Sequence, residues 1–140
     1  MSLFSHDTKA EALGRVQLFS GLSKKELTQL AKVTEDLEVD AGKVLCREGE
    51  TAYEFFVIVE GEVEVERGGE AVATLGPGDF FGEIGLFEHI PRTATVTAKT
   101  PLRFFVLHSR AFWGLLEHEP EVQGSILRAL AKRVLSDSAI

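Results

Sequence analysis

The stretch GDFFGEIGLFEHIPRTATV, residues 78–96, interrupts a succession of short predicted strands with a different pattern. Residues 82–87 favour one helical turn between two strands. A helix start offers unpaired N–H groups and the positive end of the helix dipole, and Gly82 allows a ligand to approach the backbone closely. We expect Arg92 to open the next strand and to return its guanidinium to the same place. A cation and a helix start that converge on one point predict a phosphate site.

A carboxylate, Glu83, lies inside this predicted phosphate site. It would repel a phosphate unless the ligand also presented a hydroxyl donor, and a ribose 2′-OH is such a donor. The 3′,5′-cyclic nucleotides hold a singly charged phosphate and a free 2′-OH on one rigid bicycle, so Arg92 and Glu83 can each bind one side of it. The alternative interpretation of this pair is a surface ion pair, which contributes little to stability.

At these residues the sequence resembles the phosphate-binding cassette of the cyclic-nucleotide-binding domain family, which includes catabolite activator proteins, kinase regulatory subunits and cyclic-nucleotide-gated channels. The family pattern is FGE, a small apolar run and then R-[TSA]-A-T/S-V, matched here by residues 81–86 and 91–96. The resemblance implies that Gly82, Glu83 and Ile84 supply backbone N–H groups or the ribose contact. It also implies that Arg92 binds the phosphate and that Thr93 adds a hydroxyl. The candidate ligand-binding residues are Gly82, Glu83, Ile84, Gly85, Arg92 and Thr93.

The resemblance covers nearly the whole chain and implies one mainly β domain, residues 1–140. The family fold has N-terminal helices, here 1–34, and an eight-stranded antiparallel β-roll of the double-stranded β-helix or jelly-roll type, here 35–108. The cassette occupies 80–96 of that roll. Two C-terminal helices, 109–140, complete the expected fold.

Alternating apolar and polar residues in the middle of the chain agree with that order, because a period of two is typical of half-buried strands. Val63 and Val65 alternate with glutamates, and glycines separate the runs at short intervals. Residues 55–59 and 63–65 are predicted to form a hairpin across the Glu60-Gly61 dipeptide.

Apolar residues recur at spacings of three or four at both ends of the chain, which is typical of helices. Ser23 lies three residues before Glu26, a capping-box pattern that predicts a helix from Lys24 to about Thr34. Pro120 suits the first position of the last helix.

Composition excludes several classes of function. The net charge of -7 repels the phosphate backbone of nucleic acid at long range. No apolar run approaches the roughly 20 residues that cross a bilayer, and no signal-peptide pattern opens the chain. We therefore expect a cytoplasmic protein that binds neither nucleic acid nor membrane. Cys46, the single cysteine, is expected to be an inert packed thiol.

An enzyme of the cupin type would need clustered histidines and a carboxylate inside the roll. The four histidines, His6, His89, His108 and His118, lie far apart with no metal-ligand spacing. We expect no catalytic residue, no metal and no cofactor beyond the nucleotide ligand.

The sequence thus predicts a regulatory domain that binds a cyclic purine nucleotide, with cAMP favoured over cGMP, and couples binding to movement of its C-terminal helices. Thr93 could accept from the 2-amino group of a syn guanine, but threonine also occurs there in cAMP-binding members. The expected partner is an effector protein or a missing effector domain, and the C-terminal helix is a candidate homodimer surface. The alternative is a partner-binding module of the same fold that binds no nucleotide.

Overall fold

The computed structural model describes residues 8–86, 90–118 and 120–135. Within these residues, eight strands form two four-stranded antiparallel sheets. The first sheet has the order β1 (Glu35–Val39), β8 (Leu102–His108), β3 (Glu54–Glu60) and β6 (Phe80–Phe81), and the second has the order β2 (Val44–Cys46), β7 (Thr95–Ala98), β4 (Val63–Arg67) and β5 (Glu70–Leu75). The predicted eight-stranded antiparallel roll is confirmed.

Helices precede and follow the roll, as predicted. α1 (Lys9–Arg15), a 3-10 helix (Gln17–Phe19) and α2 (Lys24–Lys32) come first, and α3 (Ser109–His118) and α4 (Pro120–Leu135) come last. The side chain of Ser23 accepts from Glu26 N, and the Glu26 side chain accepts from Ser23 N, so the predicted capping box starts α2 at Lys24. Lys32 is the last residue of α2, slightly before the predicted end.

The two central strands of the first sheet, β3 and β8, are buried on both faces, which hides their period of two. Residues 55–58 of β3 and 102–107 of β8 are all buried. One face of β3 carries Phe55 and Val57 into a cluster shared with the helices. The other face carries Phe56 and Ile58 into the interior of the roll. A sheet covered on both faces has no solvent-facing positions, so its strands read as continuous apolar runs.

The predicted hairpin between residues 55–59 and 63–65 is wrong. β3 pairs with β6 and β8, whereas β4 pairs with β5 and β7, so the chain crosses from one sheet to the other at Gly61. Gly61 has φ +98°, and a Cβ there would lie 2.3 Å from the Pro101 carbonyl oxygen. The glycine therefore forms a tightly packed corner of the roll. A glycine turn between two apolar runs looks the same in sequence whether it closes a hairpin or turns such a corner.

Candidate functional site

The predicted helical turn is present as a short 3-10 helix, Glu83–Leu86, which we call the cassette turn. It follows β6 through Gly82, whose φ of +78° favours glycine. The N–H of Gly85 donates to the Gly82 carbonyl oxygen at 2.8 Å and closes the turn. The N–H of Gly85 is therefore used inside the turn itself.

The two glycines let the cassette turn lie directly against the start of β3. A Cβ on Gly85 would lie 2.6 Å from the Glu54 carbonyl oxygen and 3.0 Å from that of Ala52. The same Cβ would lie 2.6 Å from Arg92 Nη1. Any side chain at this position would force the backbone or the arginine to shift. The structure thus gives Gly85 a steric role: it provides the space that Arg92 occupies.

Arg92 lies beneath the cassette turn with only 3% of its surface exposed. Its Nη1 donates to the Gly82 carbonyl oxygen at 3.0 Å. Its Nε is buried and has no hydrogen-bond partner among the residues that the structure describes. Buried polar groups are nearly always hydrogen-bonded, so a donor left in this state needs a physical reason. An anionic ligand that accepts from the guanidinium is such a reason.

The backbone of Arg92 is fixed by a different segment. Its N–H donates to the Glu50 carbonyl oxygen at 2.8 Å, and its carbonyl oxygen accepts from Gly49 N at 2.9 Å. The expectation that Arg92 opens the next strand is wrong, because β7 begins at Thr95. The two bonds to the turn at residues 49 and 50 hold Arg92 ahead of the strand, and its side chain still returns to the cassette turn as predicted.

Glu83, the first residue of the cassette turn, is also buried, with 2% of its surface exposed. Burial raises the pKa of the Cys46 thiol to about 12, and the charge of Arg92 opposes that rise while the charges of Glu54 and Glu83 add to it. One buried thiol therefore lies within electrostatic reach of the arginine and of both carboxylates. Cys46 is a packed thiol, as predicted, and it lies near the charged groups of Arg92, Glu54 and Glu83.

Thr93 is exposed and lies beside Arg92, before β7. Ile84 belongs to the cassette turn, but its side chain lies outside the described residues, as do residues 87–89. The ligand contacts expected of Thr93 and Ile84 stay predictions. The structure brings Gly82, Glu83 and Arg92 together around one turn.

The end of the cassette turn contacts α3. The indole Nε1 of Trp113 donates to the Leu86 carbonyl oxygen at 2.8 Å, and Leu86 packs in the same apolar cluster as Phe112. A cavity of about 680 Å³ lies beside this contact, between Tyr53 and His108. The cassette turn and α3 are therefore in direct contact.

Sequence reasoning missed three residues of the site: Glu54, Phe56 and Trp113. Phe56 lies beneath the Arg92 guanidinium, with Cζ 5.7 Å from the ring centroid. Each missed residue is distant in sequence from the cassette, and the two apolar-rich segments that contain them fit ordinary core packing. No signal in the sequence connects them to Arg92.

Two other kinds of feature, metal-ligating clusters and membrane-spanning helices, are absent from the described ranges. These ranges contain no group of three or more His, Cys, Asp or Glu residues that could hold a metal ion. Among the helices of the same ranges, none is long and apolar enough to cross a bilayer.

Comparison with known proteins gives a consistent set of relatives. A family model described as "Cyclic nucleotide-binding domain" matches residues 36–119. The cAMP-dependent protein kinase regulatory subunit of Yarrowia lipolytica is 41% identical over 106 residues, which cover 74% of this chain and 28% of that protein. The CRP-like cAMP-activated global transcriptional regulator of Mycobacterium tuberculosis is 30% identical over 129 residues, which cover 89% of this chain and 58% of that protein.

A solved structure gives the same architecture. The crystal structure of a cyclic nucleotide-binding domain from Methylobacillus flagellatus KT superposes with a TM-score of 0.78 at 25% identity. The superposition covers 93% of this chain and 76% of that one. This chain spans less than two thirds of the length of either curated relative described above.

Proposed function

The chain belongs to the cyclic nucleotide-binding domain family, and from this membership we propose that it binds a 3′,5′-cyclic nucleotide, with cAMP favoured over cGMP, between the cassette turn and Arg92. The family is a non-catalytic regulatory module. The observation that carries the proposal is the buried Arg92 guanidinium, whose Nε has no partner in the described part of the chain.

The chemistry of the two buried charged residues fits the two polar sides of such a ligand. Arg92 can donate to two oxygens of one phosphate, because a guanidinium presents a planar fork of N–H groups. Glu83 can accept from the ribose 2′-OH. Binding in a buried site strengthens both contacts, since charged groups interact more strongly where water is excluded.

The preference for cAMP is supported by the relatives. The regulatory subunit and the transcriptional regulator reported above carry cAMP in their names. Thr93 is compatible with either base, because its hydroxyl can accept from a guanine amino group and also donate to a phosphate oxygen. The ranking of cAMP over cGMP is therefore the part of the proposal that most needs measurement.

We further propose that ligand binding is transmitted through the Leu86 to Trp113 contact to α3 and then to α4. α4 carries Leu127 with 48% of its surface exposed, next to the exposed Arg128. We propose that an apolar residue of α4 covers the base of the bound nucleotide. Exposed apolar surface such as that of Leu127 would then be buried. The proposed output is an effector protein or an effector domain, with the C-terminal helix as the candidate homodimer surface.

The unpaired Cys46 fits the proposed reducing, cytoplasmic location.

A thermal-shift titration tests ligand binding. We expect cAMP to raise the melting temperature, and a tighter ligand to raise it more at the same concentration, because a ligand that binds only the folded state stabilises it by mass action. cGMP should raise it less, and 5′-AMP much less, since its phosphate is not fused to the ribose. Equal shifts with cAMP and 5′-AMP would contradict the proposal. A complete lack of response to every cyclic nucleotide would favour the partner-binding module instead.

Amide hydrogen exchange tests the transmission. We expect saturating cAMP to increase protection across α4 in the wild-type protein and to do so less in Trp113→Phe, which keeps an aromatic ring but lacks the indole donor. Protection of α4 that is unchanged by cAMP in the wild-type protein would rule out this route.

A further inference from the structure

Phe56 is held in one orientation by its neighbours in the roll. It pairs with Phe81 of β6 on one side and with Val106 of β8 on the other. Its ring stacks on that of Phe81 with centroids 4.8 Å apart and planes 8° apart. The ring of Phe104 lies at 5.9 Å in a tilted arrangement. With 3% of its surface exposed, Phe56 has little freedom to adopt another rotamer.

The same ring contacts both parts of the cassette. The Arg92 guanidinium carbon lies 5.7 Å from the ring centroid, within the range of a cation–π contact. On the side of the cassette turn, a Cβ on Gly82 would lie 2.9 Å from Phe56 Cδ2. The ring is thus the surface against which the glycine and the guanidinium are both packed.

The polar contacts of Arg92 leave its orientation incompletely fixed. Nη1 is bonded to the Gly82 carbonyl oxygen, but Nε has no partner among the described residues. A planar group with an unpartnered donor needs another contact to define its plane. The face of an aromatic ring supplies that contact, and cation–π attraction strengthens where both groups are desolvated.

We infer that Phe56 is a positioning residue for the ligand: its ring holds the Arg92 guanidinium in the plane from which Nε is available to an incoming phosphate. The inference rests on the proposed function, because it assigns Phe56 a role through the phosphate contact of Arg92. It predicts that the aromatic ring itself, beyond the apolar volume, contributes to affinity.

Three variants separate the effect of the aromatic ring from the effect of its apolar volume. Phe56→Leu removes the ring and Phe56→Tyr keeps it. Phe105→Leu, the matched control, removes the buried ring that lies beneath Arg103. Calorimetric titration with cAMP measures affinity, and thermal unfolding without ligand measures stability. We expect Phe56→Leu to weaken binding by about tenfold, Phe56→Tyr to restore most of that loss and Phe105→Leu to lower stability with affinity unchanged. Phe56→Met replaces Phe56→Leu if the latter does not fold.

A double-mutant cycle with Arg92→Ala shows whether Phe56 acts through the arginine. In the Arg92→Ala background, Phe56→Leu should weaken the remaining cAMP binding no further. An equal loss in both backgrounds, or an equal loss in Phe56→Leu and Phe105→Leu, would overturn the inference, since the ring would then act through general packing. If the wild-type protein binds cAMP and Phe56→Leu binds it with the same affinity, this inference is overturned and the proposed function is not. No binding by the wild-type protein overturns the proposed function and this inference with it.

Discussion

Arg92 and Arg103 are both buried arginines packed over phenylalanine rings, yet their polar surroundings differ. Arg103 is 4% exposed, and its guanidinium lies 5.9 Å from the Phe105 ring centroid. Its Nε donates to Asp36 Oδ1 at 3.1 Å and its Nη2 donates to Asp36 Oδ2 at 2.8 Å. Arg92 has a backbone carbonyl bonded to Nη1 and an unpartnered Nε within the described residues.

The difference supports the proposal that Arg103 has a structural role and that Arg92 binds a ligand. The hydrogen bond to Asp36 raises the pKa of Arg103, with a further contribution from the charges of Asp36 and Glu60. Those carboxylates occupy the planar fork that a phosphate would need. Arg92 has no such carboxylate on its Nε among the described residues. Because burying an unpartnered charged group is costly, the proposed phosphate contact would offset part of that cost.

The largest expected effect is the loss of cAMP affinity on mutation of Arg92, with mutation of Arg103 as the comparison. Arg92→Ala should weaken cAMP binding by about a hundredfold or more, because it removes charge-assisted hydrogen bonds to the phosphate. Arg103→Met should leave affinity unchanged and lower the free energy of unfolding by about 1 to 3 kcal/mol, since it leaves Asp36 without its partner. Calorimetric titration and chemical denaturation measure the two quantities. A variant Arg92→Ala that binds cAMP within about twofold of wild type would invalidate the assignment.

The position of the Arg92 side chain beside the cassette turn could be predicted from sequence because the cassette is continuous. Gly82, Glu83 and Arg92 fall within one short segment, and their spacing alone indicated that they meet. Arg103 lies in β8, a strand buried on both faces, and its partner Asp36 is distant in the chain. The residues that complete the site, Phe56 above all, come from β3, and only pairing with β6 brings them to the cassette turn. The predicted hairpin was wrong for the same reason, because the sequence does not show which strands pair.

The second prediction concerns the carboxylate that accompanies Arg92. Glu83→Ala should weaken cAMP binding by about tenfold, because a hydrogen bond to a charged group is lost. The same substitution should have little effect on 2′-deoxy-cAMP, whose hydroxyl is already absent. Calorimetry on both proteins with both ligands gives the coupling between Glu83 and the 2′-OH. Equal losses for the two ligands would show that Glu83 acts on something other than the ribose.

The third prediction tests the space in which Arg92 lies. Gly85→Ala places a Cβ 2.6 Å from Arg92 Nη1 and should weaken cAMP binding by several-fold, roughly 1 kcal/mol, as the guanidinium shifts. Gly76→Ala is the matched control, because its Cβ would meet nothing within 4 Å. Titration of both variants, with unfolding curves to compare their stability, makes the test. Equal affinity in the two variants would mean that the cassette turn adapts without moving the arginine.

The last prediction concerns stability and pH at Cys46, the buried thiol whose pKa burial raises to about 12 from an ordinary value of 9.0, against the opposing charge of Arg92. Because the folded state holds the proton more tightly, the stabilisation is fully present below pH 9 and decreases as the pH rises toward 12. Between pH 8 and pH 10 the free energy of unfolding of the wild-type protein should therefore fall by about 1.4 kcal/mol more than that of Cys46→Ala, which lacks the group. Denaturation curves of both proteins at the two pH values measure the difference, and the lysine and tyrosine titrations common to both cancel. Parallel pH dependence of the two proteins would show that the thiol ionises as freely in the folded state as in the unfolded chain, and that Arg92 lies in a more polar environment than its burial indicates.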